Sequence, residues 1–98
     1  MKLAVADEVL ADIAAASRWY DDKQPGLGTD FIAAVDAAFV TILERPEAWA
    51  ADPCYAPKVV RRYVMHRFPF VIFYRVGERT LEIAGLAHTS RRPGAWQR

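Results

Sequence analysis

The sequence holds a single cysteine, Cys54. One thiol excludes an intramolecular disulfide and carries no mark of an oxidising compartment. Also missing is any apolar run near the ~20 residues that a membrane-spanning helix needs. The opening stretch MKLAVADEVLADIAAASRW places Asp7, Glu8 and Asp12 where a signal peptide would need an unbroken apolar core. A cytoplasmic protein without a membrane segment is expected. Histidine is scarce: His66 and His88 are the only two, and neither stands at ligand spacing from the other or from Cys54. No metal site is expected. Ser17 and Ser90 are the only serines, and neither lies in a nucleophile motif. No glycine-rich phosphate loop occurs, because Gly26 and Gly28 in PGLG read as a turn between helices. Nothing in the chain implies a cofactor.

What is present is a globular composition. Apolar residues make up 53% and charged residues 26%, which separates the chain from disordered sequences. A chain of 98 residues supports one core, so residues 1–98 are expected to form a single domain. The formal net charge of +1 hides an asymmetry. Residues 1–57 carry four Lys/Arg against ten Asp/Glu, and residues 58–98 carry nine against two. A half at −6 is followed by a half at +7. A basic half of this kind suits an anionic partner, unless the two halves neutralise each other within the fold.

The periodicity changes twice along the chain. KLAVA (2–6) fits a short strand. From Asp7, read as an N-cap, Val9, Ile13, Ala16 and Tyr20 recur at helical spacing. QPGLG after Lys23 stops that helix. Thr29 reads as the cap of a second helix with Phe31, Val35, Phe39 and Ile42 on one stripe, ended by Pro46. The two should pack as an antiparallel hairpin. PEAWAADPCYAP (46–57) is a connection, with Trp49 and Tyr55 as tethers. The period then becomes two. KVVRRYVMHR sends Arg61, Tyr63 and Met65 one way and Val60, Arg62, Val64 and His66 the other. FVIFYRV (70–76) is apolar enough for an inner strand. Strict alternation in TLEIAGLAH (80–88) puts Leu81, Ile83 and Gly85 on one face and Glu82, Ala84, Leu86 and His88 on the other. Gly77-Glu78 suits the centre of a type II′ hairpin. The expected fold is α+β, in the order β-α-α-β-β-β, with the helical hairpin on one face of a twisted antiparallel sheet. On the face away from the helices, Tyr63, Met65 and Phe73 are expected to offer apolar surface for a partner.

The chemistry rests on the basic group Arg61, Arg62, His66, Arg67, His88, Arg91 and Arg92. Clustered arginines grip phosphate or carboxylate, and a histidine among them can serve as acid or base in RNA cleavage. The alternative is that the arginine stems cover an exposed sheet face while their heads reach water; Arg75 and Arg79, beside a hairpin turn, are read that way. The functional reading requires the positive side chains after Pro57 to gather on one surface. The ending HTSRRPGAWQR, with its Trp96, is read as the edge that meets a partner.

Taken together, DIAAASRWYDDKQPGLGTDFIAAVD, RRYVMHRFPFVIFYRV and an ending H-x-x-R-x-P-x-x-W (His88, Arg91, Pro93, Trp96) resemble the RelE/ParE superfamily of bacterial toxins over nearly the whole chain. The resemblance implies a growth inhibitor held inactive by a cognate antitoxin, which binds operator DNA on behalf of the pair. RelE-like members cut messenger RNA on the ribosome, whereas ParE-like members inhibit DNA gyrase. RelE-like nucleases tend to place a catalytic arginine three residues before a tyrosine in the central strand. Here the tyrosine is Tyr74 and the earlier residue is Val71. The resemblance therefore favours the ParE-like branch, with no catalytic residue assigned. The RelE-like alternative would draw on Arg62, Arg67, His88 and Arg91. Target or antitoxin binding is expected of Arg61, Arg62, Arg67, His88, Arg91, Arg92 and Trp96.

Overall fold

In the computed structural model, which describes residues 1–89, the element order is β1 (Lys2–Val5), α1 (Asp7–Lys23), α2 (Leu27–Glu44), β2 (Arg61–Val64), β3 (Phe70–Val76) and β4 (Thr80–His88). The architecture is α+β, with two helices on one face of a four-stranded open sheet of order β1-β4-β3-β2. The β2–β3–β4 meander is antiparallel as expected. β1 adds to it in parallel beside β4, so the sheet is mixed. That pairing follows from connectivity: α1 and α2 return the chain to the sheet, leaving β1 at the edge with Lys2 opposite Thr80.

The helical hairpin is tighter than its sequence suggests. α1 begins after Ala6, so Asp7 is its first residue and not its cap. It still lies, with Glu8, at the positive end of the helix dipole. α2 begins at Leu27, two residues before Thr29, which is therefore interior. Its cap is Gly26, held at φ 89°, a left-handed conformation that glycine adopts without steric cost. The Gly28 amide donates to the Asp21 carboxylate at 2.8 Å, so α1 itself satisfies the start of α2. A Cβ on Gly28 would stand 2.3 Å from the Ser17 carbonyl and 2.7 Å from Asp21 Cγ. Only glycine permits this approach of the two helices.

Between helices and sheet lies the main core: Val9, Phe31, Val35, Phe39 and Ile42 meet Tyr63, Met65, Ile72, Tyr74, Leu81 and Ile83. Tyr63 and Met65 thus face the helices, contrary to the expectation that they lie on the outer face. β2 alternates as read, but its inward set points to the helical layer because that layer covers the whole width of β3. Tyr20, Phe31, Phe68 and Phe70 join both helices to the β2–β3 turn, with centroids 4.9–5.3 Å apart in the pairs Tyr20–Phe68, Phe31–Phe68, Phe31–Phe70 and Tyr20–Phe31.

The opposite face has a smaller core of its own. Val60, Val71, Phe73 and Ala87 pack under Tyr55, whose ring stands 5.6 Å from Phe73. Phe73 is therefore buried and offers no open patch. The connection 46–57 supplies this cover and pairs along β2, with Ala51 opposite Arg61. Trp49 tethers it from the other side against Tyr63, 4.8 Å between rings. At the β3–β4 turn the Gly77 amide donates to the Thr80 carbonyl at 2.8 Å, so Glu78 and Arg79 span the turn. Gly77 does not take a positive φ. Its role is close approach, since a Cβ there would lie 2.9 Å from the Thr80 carbonyl oxygen.

β4 departs from strict alternation. Tyr74 pairs with Ile83 but Phe73 pairs with Gly85, leaving Ala84 as the extra residue of a bulge. Beyond it the faces exchange. Leu86 joins the helix-facing core opposite Ile72, and His88 follows opposite Phe70 on that same side. Alternation alone had sent both to the outer face.

Gly28→Ala is expected to lower stability by about 2 kcal/mol, through overpacking at the helix crossing. The thermal midpoint should fall by roughly 10 °C. Gly26→Asn has open space and a tolerated left-handed backbone, and should cost under about 1 kcal/mol in the same thermal denaturation.

Candidate functional site

Each cationic residue of the meander takes its direction from its position on β2 or in the following turn. Arg61 points inward with Tyr63 and reaches the connection. Its guanidinium donates to the Trp49 carbonyl at 2.8 Å and to the Glu47 carbonyl at 3.5 Å. Beside it, the buried Tyr74 hydroxyl donates to the Pro46 carbonyl at 2.8 Å. Burial raises the phenol's pKa, with the Arg61 charge acting in the other direction. Arg61 thus fastens the connection to the sheet.

Arg62, the next residue, lies on the opposite face and is exposed. Arg67 sits in the β2–β3 turn, over the Phe68 ring, and pairs with Asp30 of α2 at 3.1 Å. Both partners are more than half exposed, so the pair is worth at most about 1 kcal/mol. His66 is exposed beside Arg67, at a shallow depression against α2. Arg75 pairs with Glu82 across β3 and β4, in keeping with the surface reading. The expectation of one common cationic surface is not met among the described residues. Arg61 and Arg62 alternate to opposite faces, and Arg67 turns toward the acidic helical layer. Arg91, Arg92 and Trp96 lie outside the described residues.

His88 occupies a different place. The bulge at Ala84 turns it toward the helices, 5.3 Å from the Phe70 ring in an edge-to-face contact. There it borders an open groove of about 680 Å³ between α1 and the ends of β3 and β4. Asp12, Ala15, Ala16, Trp19 and Tyr20 form the helical wall, with Pro69, Phe70 and Leu86 on the sheet side. The groove is apolar at its base and bears an acid and an imidazole. The sequence held its signal in small residues on α1 facing aromatics, but alternation assigned Leu86 and His88 to the wrong face and hid it.

Arg62, Arg67 and His88, three of the four groups of the alternative nuclease set, occupy three separate parts of the fold. Val71, at the position where a RelE-like arginine would stand, is 4% exposed within the outer-face core. The Cys54 thiol is raised above its ordinary pKa, first by hydrogen bonding with Asp52, which weakens any nucleophilic use. No group of three or more His, Cys, Asp or Glu side chains among the described residues is placed to hold a metal. None of the described helices is long and apolar enough to cross a membrane.

Residues 3–93 match the family model of the ParE toxin of the type II toxin–antitoxin system parDE. No curated protein sequence matches the chain. Among solved structures, the fold is similar to a chain of the chromosomal ParDE TA system from P. aeruginosa. The TM-score is 0.79 at 20% identity, over 92% of this chain and 97% of that one.

The two adjacent arginines should separate in a urea titration. Arg61→Ala should cost about 1.5 kcal/mol, the worth of a charged donor shared between carbonyls. Arg62→Ala should stay within about 0.5 kcal/mol of the parent, as substitutions at exposed surface positions usually do.

Proposed function

The chain belongs to the ParE toxin family of type II toxin–antitoxin systems, and on that premise we propose that it arrests growth by binding and inhibiting DNA gyrase. As a toxin of such a system it pairs with a cognate antitoxin. The observation that carries the gyrase reading is Val71. The residue three before Tyr74 is aliphatic and packed beneath Tyr55, so that position of the central strand holds no catalytic cation. Inhibition then acts through a surface, without bond cleavage, and needs no metal or cofactor. The protein works in the cytoplasm, where gyrase and its DNA are.

Arg62, His88, Arg91, Arg92 and Trp96 are the side chains assigned to target or antitoxin contact. Arg61 and Arg67, with carbonyl and carboxylate partners inside the fold, contribute less. An acidic antitoxin segment suits these arginines, since guanidinium–carboxylate pairs form bidentate hydrogen bonds. Operator DNA is reached only through the antitoxin.

Purified toxin at micromolar concentration should abolish gyrase-dependent supercoiling of relaxed plasmid. Unchanged supercoiling would overturn this reading. Messenger cleavage in a translating extract, lost in His88→Ala or Arg91→Ala, would move the protein to the nuclease branch. Replacing Arg91 and Arg92 by Glu should weaken antitoxin binding, toxicity in cells, or both. Persistence of both at parental levels would remove these arginines from the interface.

A further inference from the structure

Helix α2 buries one side in the core, and its outward side is not uniformly polar. Ile32 and Val40 are 41% and 57% exposed there, and Ala33 and Ala37 are exposed between them. A solvated helix face ordinarily carries long polar side chains, and β-branched residues at such positions lower helix propensity without gaining burial. Leu10 of α1, 52% exposed, extends the patch. It lies three turns before Asp21, on the side of α1 that meets α2 at Gly28.

The outward residues of α2 form two rows at i, i+4 spacing. Ile32, Asp36, Val40 and Glu44 make a raised row, and Ala33, Ala37 and Thr41 make a low row beside it. A low row next to a raised one is the groove that a ridge of a second helix packs into. Ala37 and Thr41 also border the shallow depression of about 190 Å³ beside Tyr63 and Met65. His66 and Arg67 stand at the far rim of that depression, with Arg67 held by Asp30.

Charge selects the kind of helix that fits. α2 contains Asp30, Asp36 and Glu44 and no lysine or arginine, with Arg45 just past its end. Asp36 and Glu44 are exposed, and neither forms an ion pair among the described residues. They stand two turns apart on the raised row, roughly 12 Å along the axis. A second copy of this chain is a poor occupant. A two-fold antiparallel pairing that sets Ile32 against Val40 also sets the two Asp36 carboxylates against each other, and like charges so placed repel.

We propose that the outward face of α2 is a docking site for a basic amphipathic helix of a partner protein. The apolar ridge of that helix lies along the alanine row between Ile32, Val40 and the depression, and two Lys or Arg side chains about two turns apart pair with Asp36 and Glu44. None of Ile32, Asp36, Val40 and Glu44 is among the residues assigned above to target or antitoxin contact, so this site is separate from that surface. The inference goes beyond the gyrase reading and does not rest on it.

The probe is a synthetic helical peptide of three heptads, with a leucine-alanine stripe flanked by lysines one heptad apart. A twin peptide carries glutamate in place of each lysine. Full-length isotope-labelled protein is titrated with each and followed by amide chemical shifts. The lysine peptide should bind saturably, with shifts concentrated on α2, and should weaken about tenfold from low to high salt. The glutamate twin should leave α2 undisturbed. Val40→Lys should lose about tenfold in affinity for the lysine peptide. Asp36→Lys combined with Glu44→Lys should reverse the preference, so that the glutamate twin binds and the lysine peptide does not. This charge reversal at two exposed positions decides the matter even if Val40→Lys does not fold. Shifts that spread over the surface without saturating, equal binding of the two peptides, or a preference left unreversed by the double variant would overturn the proposal. Self-association in sedimentation velocity that Val40→Lys abolishes would assign the face to a second copy and would equally overturn it. Supercoiling plays no part in these readings, so failure here and failure of the gyrase reading are told apart.

Discussion

An antiparallel pair of strands in strict alternation would carry Leu86 and His88 to the outer face of the sheet. One extra residue, Ala84, reverses their phase. Most of what distinguishes this molecule at the end of the sheet depends on that bulge. It lets β4 present Leu81 and Ile83 to the helices before the bulge and Leu86 after it, so that an apolar column runs the length of the inner face. It delivers Ala87 to the outer core beneath Tyr55. It also turns His88 toward α1, where small residues leave a groove open.

The two cores divide the work of burial. The helical hairpin covers the inner face because Gly28 lets α2 approach α1 closely and Asp21 satisfies the amide that this approach would otherwise strand. Among the described residues, the outer face has no helical layer of this kind. Its cover is the proline-bearing connection 46–57, held by Trp49 on Tyr63, Tyr55 on Phe73 and the Arg61 guanidinium on two connection carbonyls. Tyr74 adds a hydrogen bond to the start of the same segment, at Pro46. An arginine with the sequence character of a ligand-binding residue is thereby used to close the fold. The charge asymmetry between the halves has the same double use. Arg67 and Asp30 join basic and acidic halves internally, while Arg62 remains exposed on the far side.

The proposed mode of action, inhibition by binding, agrees with this distribution. A nuclease needs its acid, base and phosphate ligands within hydrogen-bonding reach of one scissile group. Arg62, Arg67 and His88 are held apart by strand alternation, a turn and a bulge. A binding inhibitor has no such requirement: it can use separated contacts, provided that each is complementary to its partner.

The element order, the helical hairpin, the apolar stripes of both helices and the antiparallel meander were legible in the sequence, because period and turn chemistry are local properties. Family membership was legible as well, in the combination of motifs around the hairpin, the central strand and His88. The tethers Trp49 and Tyr55 could be read from two large aromatics in a stretch without period. Other features required the folded chain. The capping of α2 depends on Asp21, seven residues from the amide that it binds, and the start of that helix lay hidden behind the more familiar signal of Thr29. The parallel placement of β1 and the inward direction of Tyr63 and Met65 follow from which layer covers which face. The bulge at Ala84 has no residue signature, since alanine neither demands nor forbids it; register is settled by packing both faces of β4 at once. Charge was countable from the sequence, but the direction of each charge was not. Periodicity belongs to neighbours along the chain, and the grouping of side chains belongs to neighbours in space.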